Sequence, residues 1–145
     1  MSVEQVARDF VRMMNDAEKT KEHITADAVV SGGVLPQPQP IMAALKIMSG
    51  LTAAMPDLKF AIQQVTVSGN QATVKAQWGG TQSAPLSLPI PGMSSIPATG
   101  KKVSVKDTYV LTVQGDKVSH MIVESPVDGG IPAALAQLGV KMPAM

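Results

Sequence analysis

At Pro56 the spacing of the apolar residues changes from every third or fourth position to every second, and one kind of backbone cannot serve both periods. Upstream, Val3, Val6, Ala7, Phe10, Val11, Met13 and Met14 form a broad stripe behind Ser2, with Gln5 placed to complete a capping box. A shorter helix is expected over Ala17 to His23. A long one is expected over Ile41 to Met55, where Ile41, Ala44, Leu45, Met48, Leu51, Thr52 and Met55 share a face until Pro56 stops it. The glycines and prolines between Ser31 and Pro40 read as a loop within the domain. Helices are therefore expected first, and strands after them.

Beyond Pro56, Leu58, Phe60 and Ile62 point one way, but Val65 and Val67 have the opposite parity, so a β-bulge at Gln63-Gln64 is expected to realign them. A turn at Ser68-Gly69-Asn70 leads into a strand with Ala72, Val74, Ala76 and Trp78 inward, which Gly79-Gly80 should loosen. Pro85, Pro89, Pro91 and Pro97 keep the next apolar stretch out of a sheet and make it a candidate for closing the mouth of a pocket. A short last helix is expected from Ile131 to Leu138, with Pro132 in its first turn and Gly139 beyond its end. This order specifies an α+β fold with helices packed on one face of a strongly curved, mainly antiparallel sheet. At 145 residues, one domain over 1–145 is expected.

Only four residues are aromatic, so ten methionines and many small aliphatic residues must fill the interior, which suits an adaptable core. With a net charge of +1 and scattered Lys and Arg, neither a nucleic-acid groove nor a membrane surface is expected. The absence of cysteine excludes disulfides, thiolate catalysis and Cys-based metal sites. His23 and His120 lie far apart in the chain, so no His-rich metal site is expected and no metal ligands are assigned, although carboxylates could hold a hard cation. The first residues open a helix rather than a charged and apolar leader, and no run is apolar for long enough to span a bilayer, so a cytoplasmic location is expected.

The densest chemistry lies near the C-terminal end. Between Val103 and Val113 the odd positions are apolar except Asp107 and Tyr109, so those two point inward. If Gly115-Asp116 is a type II′ hairpin loop, Val113 faces Val118, Leu111 faces His120, Tyr109 faces Ile122 and Asp107 faces Glu124. Opposed carboxylates about 5 Å apart at Cβ interact strongly, and one is expected to hold a proton near neutral pH. Glu124 would then remove a proton next to a carbonyl while a protonated Asp107, with Tyr109 or His120, donates to the oxygen that gains charge. The competing reading puts both carboxylates at a wet rim, capping backbone or pairing with Lys. His120 suits either a pocket wall or a core, and Trp78 either the core or a platform for a flat ligand. Met48 is a candidate cavity wall, and Asp128 is placed to cap the last helix. Thr108, Val110, Thr112, Met121 and Val123 would form an outer face able to pair with a second copy of the chain.

The run 51–58 (Leu-Thr-Ala-Ala-Met-Pro-Asp-Leu), the segment from Trp78 to Gln82, the segment 96–101 (Ile-Pro-Ala-Thr-Gly-Lys), the hairpin from Gly115 to Val118 and the tail 136–139 resemble the SnoaL-like polyketide cyclase family. That resemblance implies the cone-shaped α+β barrel of the nuclear transport factor 2 and ketosteroid isomerase superfamily. It also implies an apolar cavity for a small hydrophobic carbonyl compound, a carboxylate acid/base for aldol closure or isomerisation, and no cofactor. The same fold also serves as a non-catalytic ligand-binding or dimerisation module. The family carboxylate ends the last strand, which leaves both Glu124 and Asp128 in contention. Where relatives resemble a Gly-Thr-His triplet this chain has Gln82, which can hydrogen-bond a substrate carbonyl but cannot shuttle a proton.

Overall fold

The computed structural model describes residues 2–32, 37–88, 95–125 and 129–139. In chain order it contains α1 (Val3–Arg12), a 3₁₀ turn (Met13–Asn15), α2 (Ala17–Lys21), β1 (Ile24–Gly32), β2 (Gln39–Pro40) and α3 (Ile41–Ala54). There follow β3 (Lys59–Ser68), β4 (Gln71–Thr81), β5 (Lys102–Gln114), β6 (Lys117–Glu124) and α4 (Gly130–Gln137). Among the described residues the strands form one curved sheet in the order β2-β1-β6-β5-β4-β3, so the cone is not closed. All neighbouring strands are antiparallel except β1 and β6.

The helices start where their local chemistry allows. Ser2 Oγ accepts the Gln5 backbone N–H at 3.1 Å, while the Gln5 side chain turns to Asp9 instead of back to the cap, so only half of the capping box forms. Asp16 caps α2 in the same way through Lys19 N–H at 3.2 Å. Val6, Ala7, Phe10 and Val11 bury α1 across β3 and β4. α3 is apolar nearly all round because it is covered twice: Ile41, Leu45, Ile47, Leu51 and Ala54 are buried, and Gly50 lies so close to the Ser87 carbonyl that a Cβ would stand 2.6 Å from it. α4 docks on β5 through Gln137, whose side-chain amide both accepts from Ser104 N–H and donates to Ser104 O at 2.8 Å.

Two strands stand among the helices, where periodicity predicts none. In β1 only Ala28 and Val30 are buried hydrophobics, too short a pattern to read locally. What makes it a strand is parallel pairing with β6, more than eighty residues on in sequence, with Val30 opposite Met121 and Gly32 opposite Val123. Gly32 ends the strand at φ +82°, where any Cβ would meet the Val123 carbonyl.

The expected bulge is present: Gln63 is skipped between Ile62 and Gln64, and Val65 and Val67 then pair with Val74 and Ala72. Gly79-Gly80 does not loosen β4, which runs on to Thr81. A Cβ on Gly79 would lie 1.8 Å from the Val103 carbonyl, so the bare backbone allows β4 and β5 to approach closely. Of the proline-rich stretch, Leu86 and Ile96 form a backbone bridge and join Leu88 in the core; residues 89–94 lie outside the described residues. No helix among the described residues is long and apolar enough to cross a membrane.

Candidate functional site

The β5–β6 hairpin turns as expected at Gly115-Asp116: Gln114 pairs with Lys117, Gly115 has φ +63°, and among the described residues, Asp116 included, no non-glycine has positive φ, which selects type II′ over I′. Val113 opposes Val118, again as expected. The strands then slip, because Ser119 is an extra residue on β6 that the register with β5 skips, its hydroxyl donating to Thr112 O at 3.4 Å. From there the register is Thr112 with His120, Leu111 with Met121, Tyr109 with Val123 and Thr108 with Glu124. The predicted register is therefore wrong by one residue beyond the bulge, and every β6 side chain past it faces the other way.

The slip reassigns the site. Glu124 is exposed on the outer face and does not meet Asp107. His120 also leaves the pocket: its Nε2 lies 3.2 Å from Ser31 Oγ on β1, on the outer surface. Met121 and Val123, expected outside, line the interior, and Ser125 comes inward with them. Asp128 lies outside the described residues.

Asp107 itself is where parity puts it, 5% exposed, opposite Ala76 on β4. Trp78, two residues along from Ala76, donates its indole N–H to Asp107 Oδ2 at 2.8 Å. Tyr109 donates its phenol to the same oxygen at 3.4 Å, and Ser125 donates its hydroxyl to Oδ1 at 2.6 Å. Phe60 braces both rings, its centroid 6.2 Å from that of Trp78 and 6.3 Å from that of Tyr109, the latter edge-on. Burial pushes the Asp107 carboxyl above the usual carboxylate range, against the three donors, which stabilise the anion. Burial, with the Asp107 charge adding to it, holds the Tyr109 phenol well above its ordinary range, so it remains a donor.

Those polar groups sit in the wall of an otherwise apolar pocket with about 70 Å³ of free space, several times the ~10–15 Å³ a single water needs. Leu45, Met48 and Leu51 of α3 form one side, Val30, Met121 and Val123 another, and Ile131 of α4 an end. A carboxylate has about four acceptor positions. Two donors occupy Oδ2 and one occupies Oδ1, which leaves one acceptor position on Oδ1 for a ligand. Gly130 keeps that side open: at φ +70°, a Cβ there would stand 2.4 Å from Ser125 Oγ and 3.2 Å from Asp107 Oδ1. No group of three or more His, Cys, Asp or Glu among the described residues is arranged to hold a metal ion.

The SnoaL-like domain family matches residues 7–121. The chain belongs to that family. Comparison with curated proteins returns no match. Among solved structures it is similar to AclR from Streptomyces galilaeus, provisionally assigned as a hydroxylase, with 20% identity over 99% of this chain and 87% of the other and a TM-score of 0.74. It is also similar to IdmH from Streptomyces antibioticus, provisionally assigned as a polyketide cyclase, with 21% identity over 97% of this chain and all of the other and a TM-score of 0.70. A protein of ketosteroid isomerase-like fold from Catenulispora acidiphila, solved with trimethylamine, shares 12% identity over 95% of this chain and 97% of the other, with a TM-score of 0.67. At these identities the likeness establishes the fold.

Within this SnoaL-like domain the structure brings together Asp107, Trp78, Tyr109 and Met48 of the sequence candidates. Gln82 is fully buried away from them. Its amide donates to Ile96 O at 3.4 Å and Pro97 O at 3.1 Å and accepts from Thr99 N–H at 3.2 Å and Thr99 Oγ at 2.6 Å, which fastens the proline-rich loop to the end of β4. Sequence reasoning missed Ser125 and Gly130. Ser125 directly follows the strand and precedes Pro126, but only the slip at Ser119 turns it inward.

Proposed function

We propose that this SnoaL-like domain binds a small, mainly apolar carbonyl compound in the pocket and moves a proton on it, as an isomerase or an aldol cyclase would, with Asp107 as the acid/base. One observation carries this reading: among the described residues Asp107 is the one buried carboxylate, it lines an apolar pocket, and it has one acceptor position left on Oδ1. Trp78 can only donate, and Tyr109 keeps its proton, so Oδ2 remains an acceptor and proton uptake falls to Oδ1. Desolvation raises the basicity of the carboxylate toward the range useful for general base catalysis. Met48, Tyr109 and Trp78 would shape the ligand side of the pocket. Glu124, on the outer face, has no part in this scheme.

A second reading, a non-catalytic binding module, is favoured by a specific feature. Among the described residues, all three hydrogen-bond donors of the pocket side chains point at Asp107, leaving none of them aimed at a substrate oxygen. Incubating the protein in heavy water with a panel of small cyclic ketones, and following α-hydrogen exchange by NMR, separates the two. Catalysis predicts exchange that Asp107→Asn reduces on the order of 10²-fold or more, whereas a binder gives ketone-dependent thermal stabilisation without exchange.

A further inference from the structure

The missing donor has a source on the pocket wall. Of the three groups bonded to Asp107, the Trp78 indole is fixed by its ring and buried position, and the Tyr109 phenol is held by a buried ring edge-on to Phe60. Ser125 differs. Its hydroxyl sits on a single rotatable bond, at a residue that is exposed as a whole yet lines the pocket. It can leave Asp107 by rotation alone, without moving backbone or ring.

The spacing also fits. Ser125 Oγ lies 2.6 Å from Asp107 Oδ1. In a ketone the α-carbon and the carbonyl oxygen stand about 2.4 Å apart, from standard C–C and C=O lengths. A ketone placed with its α-hydrogen against the open position of Oδ1 therefore presents its oxygen to Ser125 Oγ. Gly130 makes room for this arrangement, since a side chain there would collide with Ser125 and crowd Oδ1.

We propose that Ser125 is a catalytic residue whose hydroxyl hydrogen bond moves from Asp107 Oδ1 to the substrate oxygen as the proton moves to Asp107. This rests on the acid/base reading of Asp107. In the forward step the C–H bond breaks, its proton forms an O–H bond on Asp107 Oδ1, and the electron pair shifts through carbon to the carbonyl oxygen. The negative charge thus passes from Asp107 to an enolate, with none gained or lost. A neutral carboxylic acid is a poorer acceptor than the new oxyanion, so the Ser125 hydroxyl follows the charge. Returning the proton to carbon restores the starting hydrogen bond.

Two measurements test this on the full chain: α-hydrogen exchange of cyclohexanone in heavy water, and binding of 4-nitrophenol, an enolate mimic whose anion is read by its visible absorption. Ser125→Ala is expected to lower the exchange rate at saturation on the order of 10²-fold with little change in the half-saturating concentration, the pattern of an interaction made in the transition state. It should also lower the fraction of 4-nitrophenol bound as anion, and Ser125→Thr should recover part of both. Thermal denaturation of each variant shows whether the fold is kept. Full exchange and an unchanged anion fraction in a folded Ser125→Ala, with Asp107→Asn inactive, would overturn the role of Ser125 alone. A wild-type protein that neither exchanges the ketone nor binds the phenol would overturn the acid/base reading beneath it.

Discussion

Asp107 illustrates how one side chain acquires its chemistry from its surroundings. An acidic pair with Glu124 would have raised its proton affinity by repulsion, whereas the structure raises it by burying the carboxyl away from water. The linkage has a definite sign. A carboxyl whose folded pKa lies above its unfolded value contributes stability below the unfolded pKa and loses it as the pH rises through the folded one. The wild-type protein should therefore lose stability relative to Asp107→Asn as the pH is raised from below 3.8 toward neutrality, measured by urea denaturation at a series of pH values. Asp57 works the other way. Its exposed carboxylate accepts Thr81 N–H at 2.8 Å, chiefly that bond lowers its pKa, and its contribution is present above the unfolded value and lost in acid. An equal pH dependence in wild type and Asp107→Asn would show that Asp107 titrates no differently in the folded and unfolded chains.

β4 and β6 show how an element departs from the pattern of its own residues. Gly79 looked like a weak point in β4, yet the neighbouring strand occupies the space a side chain would need. Gly69, in the β3–β4 turn at φ +60°, has nothing within 4 Å of a would-be Cβ. Gly69→Ala should thus cost about 1–2 kcal/mol, from left-handed backbone strain alone. Gly79→Ala should cost about 3 kcal/mol or more, because two backbones must separate. Chemical denaturation of the two variants gives the order, and equal losses would remove the close-approach argument for Gly79. In β6 the decisive residue is Ser119, an unremarkable polar residue in a strand of alternating character. Parity placed Asp107, Tyr109 and Trp78 correctly because no irregularity falls between them and their neighbours on β4 and β5. It failed for His120, Met121, Val123 and Glu124 because the bulge intervenes, and a bulge reflects how two strands settle against each other.

The assembled domain gathers on one surface what the sequence scatters. The outer face of β1, β5 and β6 carries Val29, Val110 and Ile122, each only half-buried, around the contact between His120 and Ser31. That composition differs from the expected one, since Met121 and Val123 are replaced by Ile122 and His120, but it still presents apolar side chains on a sheet face. We expect two copies to associate through it with two-fold symmetry. Sedimentation equilibrium at micromolar concentration should report a dimer, with Ile122→Glu shifting it to the monomer; a wild-type monomer would contradict the expectation. The helices, the hairpin at Gly115 and the bulge at Gln63 were legible because capping, turn chemistry and local periodicity lie within a few residues of one another. β1 was not, because its partner β6 is remote.

The amino-acid sequence alone determined that helices cover a curved sheet and that Asp107, Tyr109 and Trp78 share its inner face, since both follow from periods written into contiguous residues. The tertiary structure alone decided which residues meet Asp107. The extra residue at Ser119 turned Glu124 toward solvent and Ser125 toward the carboxylate, β1 took a parallel seat beside β6, and Gly130 left space at Ser125 and Asp107 Oδ1. Each depends on the distance between backbones that only folding brings together.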